Sequence, residues 1–253
     1  RKGSVKAPKA RWDDVCPSLV RRCGAGARDG EDTGSARGRL LPEVKDTKRS
    51  AGRDPADAPA YTVAEAAALV RVPASTLRSW VHGRSVPTSS GATRRSGAVI
   101  RPAGDRFLSF TNVVEAHVLA ALRREHEIEL TNIRAAVRYV ETKLGVERPL
   151  ARERFKTDGV DLFVERLEKL INASRDGQTS MREVLDGQLR RVEYAQDRAV
   201  RFFPLHRPDA PRVVVVDPLR AFGRPVIDGT SVPIADVLSR FQHGDPMERL
   251  ALD

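Results

Sequence analysis

Cysteine is nearly missing from this chain: its 253 residues include two, Cys16 and Cys23, both close to the N-terminus. Their spacing matches no zinc-ligand pattern, and His82, His117, His126, His206 and His243 are scattered, so no metal site is expected. No run of about 18 apolar residues occurs, so no membrane-spanning segment is expected. No hydrophobic signal-peptide segment occurs either, and the expected location is the cytoplasm. Gly24, Gly26 and Gly30 are followed by no Lys-Ser/Thr pair and preceded by no strand, so they form neither a phosphate-binding loop nor a dinucleotide fingerprint. Hydrolysis at a metal would need converging carboxylates. Acidic residues such as Glu65, Glu115 and Glu248 fall instead at helix caps or on helix faces. No catalytic residue, cofactor or metal is therefore expected, and the chain does not read as an enzyme.

What the chain has in excess is positive charge. Lys and Arg number 44 against 34 Asp and Glu, a net charge of +10, which favours an acidic partner such as nucleic acid. Half of that excess lies in residues 1–60, where 14 Lys and Arg meet 9 Asp and Glu, so the total says little about the folded part. Residues 1–58 carry one aromatic, many Gly and Arg, and no sustained periodicity, a composition that predicts a disordered or extended tail. With 40% hydrophobic residues, the chain can still build a real core in one or two domains.

The most informative pattern runs from Tyr61 to Arg84, YTVAEAAALVRVPASTLRSWVHGR. Thr62 and Glu65 have capping-box spacing, with Tyr61 placed to staple the helix start. Ala66, Ala67 and Val70 share one face, where small alanines let a second helix approach closely. Pro73 suits a first helical turn, so a new helix is expected there. In that helix Leu77, Trp80 and Val81 share one face, while Ser75, Arg78, Ser79 and His82 share the opposite one. The first face can be buried and the second can hydrogen-bond base edges and phosphates, which is the layout of a helix-turn-helix. An ordinary helical hairpin with a solvated polar side has the same spacing; the arginine-bearing segment after Gly83 favours nucleic acid.

That segment, SVPTSSGATRRSGAVIRPAGDRFLSF from Ser85 to Phe110, fits a wing. Turn residues flank Val99-Ile100 and Phe107 to Phe110 as its strands. Arg84, Arg94, Arg95, Arg101 and Arg106 are spread along it, and a Gly/Ser-rich tip with paired arginines suits contact with phosphates or the minor groove. Arg106 fits a solvated loop equally well. Two amphipathic helices come next. Thr111 is placed to cap the first, with Val114, Val118, Ala121 and Leu122 on its apolar side. Thr131 is placed to cap the second, with Ile133, Val137, Val140 and Leu144 as a stripe ended by Gly145.

The words TVAEAAALVRVPASTLRSW resemble the start of MerR-like and excisionase-like winged helix domains. Those show a T-x-x-E-A-A helix, a short turn and a T-L-R-x-W recognition helix; Pro73 stands where they often carry a Ser or Thr cap. The order helix, helix, wing, helix, helix is similar too. Their long dimerisation helix and effector domain are not recognisable here, so the resemblance does not imply a metal- or drug-sensing role.

Beyond Gly145 the pattern predicts a small α+β piece. Asp158-Gly159 is a turn signal, and Val160, Leu162 and Val164 alternate as in a strand that Leu167 to Ala173 would pair with. Asp176-Gly177 reads as a further turn, with Gln178 a cap or turn residue. A helix comes next with Met181, Val184, Leu185, Leu189 and Val192 on one side, and Phe202-Phe203 begins another extended segment. Val213 to Val216 then reads as a buried strand closed by Asp217-Pro218. Turn clusters at Phe222-Gly223-Arg224-Pro225 and Asp228-Gly229-Thr230 surround Val226-Ile227. Ile234, Val237, Leu238 and Phe241 form an amphipathic helix stopped by Gly244, and Asp245 and Glu248 form a second capping box with Pro246 at the first helical position.

This last segment resembles a small domain of unknown function found in antitoxins of bacterial toxin-antitoxin systems, through its D-P, G-R-P-V, G-T-x-V-P and G-D-P-M-E-R-L-A elements. Ser231 stands where that family usually has Arg, and the family continues through a further helix beyond Asp253. The combination resembles the VapB-type antitoxins of mycobacteria and relatives.

The expected fold is therefore α+β: a tail over 1–58, a winged helix-turn-helix over 59–145, a central α+β region over 146–210 and a strand-helix module over 211–253. The resemblance implies a cytoplasmic antitoxin that neutralises a PIN-like ribonuclease toxin and, as a homodimer, binds operator DNA to repress its own operon. Ser75, Arg78, Ser79 and His82 would meet the major groove, and Arg84, Arg94, Arg95 and Arg101 the phosphates or minor groove. Toxin contacts would fall in the middle and C-terminal regions, with Phe202, Phe203 and Phe241 as apolar candidates that suit a core equally. The alternative is a stand-alone MerR-like regulator or recombination accessory protein without a toxin.

Overall fold

Thr62 starts the folded helices as its spacing predicts. Its hydroxyl accepts the amide of Glu65 at 3.3 Å, and the Glu65 carboxylate accepts the amide of Thr62 at 2.8 Å. Two amides that a helix start leaves without partners are thereby satisfied. The computed structural model describes residues 54–87, 93–126, 128–171, 175–205 and 211–252. The tail through residue 53, with both cysteines, and the Gly/Ser-rich wing tip at 88–92 lie outside the described residues. Residues 55–58, which composition groups with the tail, belong to the unit Pro55–Asp253.

After the short strand β1 (Tyr61–Thr62), helix α1 (Val63–Val70) ends at Arg71 in the left-handed region. Helix α2 (Ala74–His82) has Pro73 as its N-cap, one residue ahead of the first helical turn, and the Pro73 carbonyl accepts the Thr76 and Leu77 amides at 3.0 and 3.1 Å. Gly83, at φ 78, turns the chain into strand β2 (Arg84–Pro87), which pairs antiparallel with β3 (Thr93–Ser96). Strand β4 (Phe107–Leu108) returns to pair with β1, and the chain continues into α3 (Phe110–His126) and α4 (Leu130–Leu144). This is the helix, helix, wing, helix, helix order of a winged helix-turn-helix.

Three local expectations are corrected here. Val99-Ile100 is not a wing strand, because both amides donate to the Trp80 carbonyl, at 2.8 and 3.1 Å, and cap the end of α2. Thr111 does not cap α3: Ser109 does, accepting the Asn112 amide at 3.2 Å, while the Thr111 hydroxyl reaches the Asp57 carboxylate at 2.7 Å. Thr131 lies inside α4, whose N-cap Glu129 makes no side-chain bond. Gly145 ends α4 at φ 65 as expected, since glycine takes that conformation without a Cβ penalty.

The central region departs most from expectation. Val160, Leu162 and Val164 form no strand but lie in helix α5 (Val160–Ile171). Val160, Phe163, Val164 and Leu167 are all buried, a spacing of i, i+3, i+4 and i+7 that outweighs the short alternation. Residues 167–171 continue this helix rather than pairing with a strand. Asp158-Gly159 is a π-helical turn leading into α5, and Asp176, Gly177 and Gln178 lie within helix α6 (Arg175–Leu189) rather than in a turn. On α6, Met181, Leu185 and Leu189 are buried as expected. Strand β5 (Val192–Ala195) and strand β6 (Arg198–Phe202) then make a hairpin whose turn residues Gln196 and Asp197 take φ 51 and 62. Phe202 thus ends a strand instead of beginning one.

The sheet continues antiparallel through β7 (Val214–Val216) and β8 (Pro225–Ile227) in the order β5-β6-β7-β8. Helix α7 (Ile234–Gln242) and the short α8 (Met247–Leu250) complete the strand-helix module. The expected second capping box is absent: Pro246 is the N-cap of α8, and Asp245 instead pairs with Arg240 at 2.7 Å.

A single buried apolar cluster runs from Ala56 to Val216 and takes in α1 to α6, so it crosses position 145 without a break. Trp80, Phe110, Phe155, Phe163 and Phe202 are its largest fully buried members. Each such side chain contributes about 1.5–3 kcal/mol by leaving water.

Candidate nucleic-acid interface

The two faces of α2 are sorted as its sequence requires. Leu77, Trp80 and Val81 are at most 3% exposed, whereas Ser75, Arg78 and His82 are exposed. Ser79 is half-buried, and its hydroxyl donates to the Thr76 carbonyl at 2.7 Å, so its side chain is committed within the helix. Ser75, Arg78 and His82 project from the side of α2 opposite the core.

The wing is fixed to this helix by backbone chemistry. Arg84, exposed, opens β2 opposite Ser96; Arg95 pairs in register with Ser85 and Arg94 with Val86. The backbones of Arg94 and Arg95 therefore lie on the strand facing β2, and their side chains are outside the described residues. Arg101 lies just past the wing, is exposed, and pairs with Glu141 of α4 at 3.3 Å.

Asn112 holds the wing's return path. Its side-chain oxygen accepts the amides of Ala103 and Ser109, both at 3.1 Å, and its nitrogen donates to the Arg101 carbonyl at 2.8 Å and to the Glu115 carboxylate at 2.9 Å. Burial pushes the Glu115 carboxyl up to about 7, against the opposing effects of the Asn112 bond and the Arg148 and Arg101 charges.

The structure also brings up residues that spacing did not single out. Arg134 of α4 donates to the Gly97 carbonyl at 2.5 Å at the base of the wing, and Arg138 lies one turn further along. Together with Arg101, Glu115, Glu141 and Arg148 they line a cleft beside the wing base. The i, i+4 pair of arginines on the polar side of the Ile133–Val137–Val140 stripe was the available signal. Arg71, in the left-handed turn between α1 and α2, is exposed next to the start of α2. Among the described residues, no group of three or more His, Cys, Asp or Glu could hold a metal ion.

These features define a helix-turn-helix protein with a C-terminal strand-helix module. Residues 59–137 match the family described as "Putative DNA-binding HTH domain", and residues 214–253 match "Protein of unknown function (DUF433)". Over 214 residues the chain is 29% identical to the "Putative antitoxin VapB45" of Mycobacterium tuberculosis (strain ATCC 25618 / H37Rv), covering 78% of this chain and 88% of that protein. It is also similar to the crystal structure of Rv2018 from Mycobacterium tuberculosis, with a TM-score of 0.56 and 26% identity, over 77% of this chain and 91% of that one. The resemblance to VapB-type antitoxins, with an N-terminal helix-turn-helix and a C-terminal domain of unknown function, is borne out.

Proposed function

We propose that this protein is a DNA-binding antitoxin that neutralises a PIN-like ribonuclease toxin and represses its own operon. The observation that carries the DNA reading is the division of α2: its Leu77, Trp80 and Val81 side is inside the core, while Ser75, Arg78 and His82 are presented to solvent beside an arginine-bearing hairpin. Arg78, Ser75 and His82 meet base edges in the major groove. Ser79 supports them from within the helix through its bond to the Thr76 carbonyl. Arg84, Arg94, Arg95 and Arg101 contact phosphates or the minor groove. The protein acts in the cytoplasm as a homodimer on a partly palindromic operator, since two-fold proteins favour paired half-sites. Among the described residues no helix is long and apolar enough to cross a membrane.

The antitoxin part of the reading is supported by the VapB45 similarity and by the C-terminal module. With Phe202 and Phe203 buried in the sheet, toxin contacts fall to exposed residues of that module. The test is fluorescence anisotropy on the operator upstream of the gene. Arg78→Ala should weaken binding by about 1–3 kcal/mol through a lost base contact. Arg84→Ala should instead lower the slope of affinity against salt by about 1. Unchanged operator affinity in Arg78→Ala would reject the assignment of α2 as the recognition helix.

A further inference from the structure

The turn from Asp217 to Arg224 is held in an unusual shape. Ala221, Phe222 and Gly223 take φ 43, 56 and 77 in succession, and the first two are side-chain-bearing residues in a region such residues rarely enter. The surroundings impose it. The Gly223 amide donates to the Arg220 carbonyl at 2.8 Å and the Arg224 amide to the Ala221 carbonyl at 3.1 Å. The Tyr61 hydroxyl donates to the Gly223 carbonyl at 2.7 Å, and a Cβ at Gly223 would collide with that hydroxyl. At the near end, Asp217 is buried, accepts the Leu219 amide at 2.8 Å, and is flanked by Arg201 at 3.4 Å and Arg220 at 3.6 Å.

What this fixed turn displays is apolar. Phe222 is 92% exposed and Leu219 78% exposed, so neither contributes to the core. A backbone constrained into a costly conformation to hold an aromatic side chain in water has the character of a binding anchor. The rim is basic: Arg220 and Arg224 flank Phe222, and the nearby carboxylate of Asp217 already faces two guanidinium groups. The complementary surface is an apolar pocket edged by acidic side chains.

We propose that Phe222 and Leu219 are the anchor through which this chain grips a folded protein partner with such an acid-rimmed pocket. Resting on the antitoxin reading, that partner is the toxin. The experiment uses the full chain and, as probe, the purified product of the adjacent gene, with affinity measured by titration calorimetry. Phe222→Ala and Leu219→Ala should each weaken the complex by at least about tenfold while leaving operator affinity unchanged. Phe222→Gly should weaken it equally without lowering Tm, because glycine accepts a φ of 56 freely.

If the wild-type chain binds the probe and Phe222→Ala binds it as well, the anchor is wrong while the antitoxin reading stands. A fall in Tm for Phe222→Gly would show a packing role and overturn the proposal. So would a wild-type dimer that Phe222→Ala converts to monomer in sedimentation, since the occupant would then be a second copy. If the wild-type chain itself does not bind the probe, the antitoxin reading fails and takes the anchor with it.

Discussion

The body of this protein and its C-terminal module are built on different terms. From Ala56 to Leu189 every long helix lays an apolar face into one shared core, and α3 is buried on nearly all sides. Helix α7 has an equally clear apolar face in Ile234, Val237, Leu238 and Phe241, yet none of its residues is buried. Beyond Val216, which joins the shared core, the module's Val215 and Val226 form a separate small cluster with Phe203. Amphipathic spacing thus specifies which face a helix offers, whereas burial depends on what packs against it. The body is held by area removed from water, and the module by strand pairing, turns and polar ties.

The largest expected effect makes that contrast measurable. Trp80, 1% exposed, sits at the centre of the body, and Trp80→Ala should cost about 3–5 kcal/mol in urea unfolding. Phe241, 44% exposed, should cost no more than about 0.5 kcal/mol on replacement by alanine. A loss of several kcal/mol at Phe241 would mean that α7 is covered in solution and that the two regions are built alike.

The body also holds two buried titratable groups that pull stability in opposite directions. Glu115, pushed up to about 7 by burial, prefers its proton in the folded state. Its ionisation penalty is present above pH 7 and is relieved as pH falls from 7 toward the ordinary value of 4.5. His117, pushed down to about 3 by burial and by the Arg191 charge, is kept neutral against the ring of Phe202 at 4.6 Å. Its contribution is whole above pH 6.5 and is lost as pH falls toward 3. In the wild type the two slopes oppose each other between pH 4.5 and 6.5. Glu115→Gln should therefore gain stability at pH 8, on the order of 3 kcal/mol at most, and should lose stability steadily on acidification below 6.5. Denaturant midpoints from pH 4.5 to 8 check this; parallel profiles for wild type and variant would show that folding does not shift the Glu115 carboxyl from its ordinary value.

The same contrast explains what could be read from the residues alone. The helix-turn-helix was legible because each of its signals was local: the Thr62–Glu65 box, the Leu77–Trp80–Val81 face and the Gly145 stop all act within one or two turns. The strand expected at Val160, Leu162 and Val164 failed because three alternating residues also fit a helical face, and Phe163 and Leu167, both buried, decide between the two. The hairpin at Gln196-Asp197 was missed because its turn carries no glycine, although both residues take positive φ. On the candidate interface, exposure of Ser75, Arg78 and His82 came from period alone. The commitment of Ser79 to the Thr76 carbonyl and the anchoring of Arg134 on Gly97 depend on three-dimensional placement that spacing does not carry.

The smallest expected effect tests the tie between the two regions. Tyr61 belongs to the first strand of the winged helix, yet its hydroxyl donates to the carbonyl of Gly223 in the terminal module. Burial, with Asp217 and Glu65 nearby, pushes that hydroxyl's pKa well above the usual tyrosine value, so it stays a donor throughout the neutral range. Tyr61→Phe keeps the ring, which is 5% exposed, and removes only this bond, leaving the Gly223 carbonyl without that donor. The cost should be about 1 kcal/mol. Because the body retains all its buried area, the loss should appear as faster hydrogen exchange at the Gly223 and Arg224 amides, with protection in α2 and α3 unchanged. Equal loss of protection in the body and the module would show instead that they unfold as one unit, and unchanged exchange at Gly223 would show that the turn is held without Tyr61.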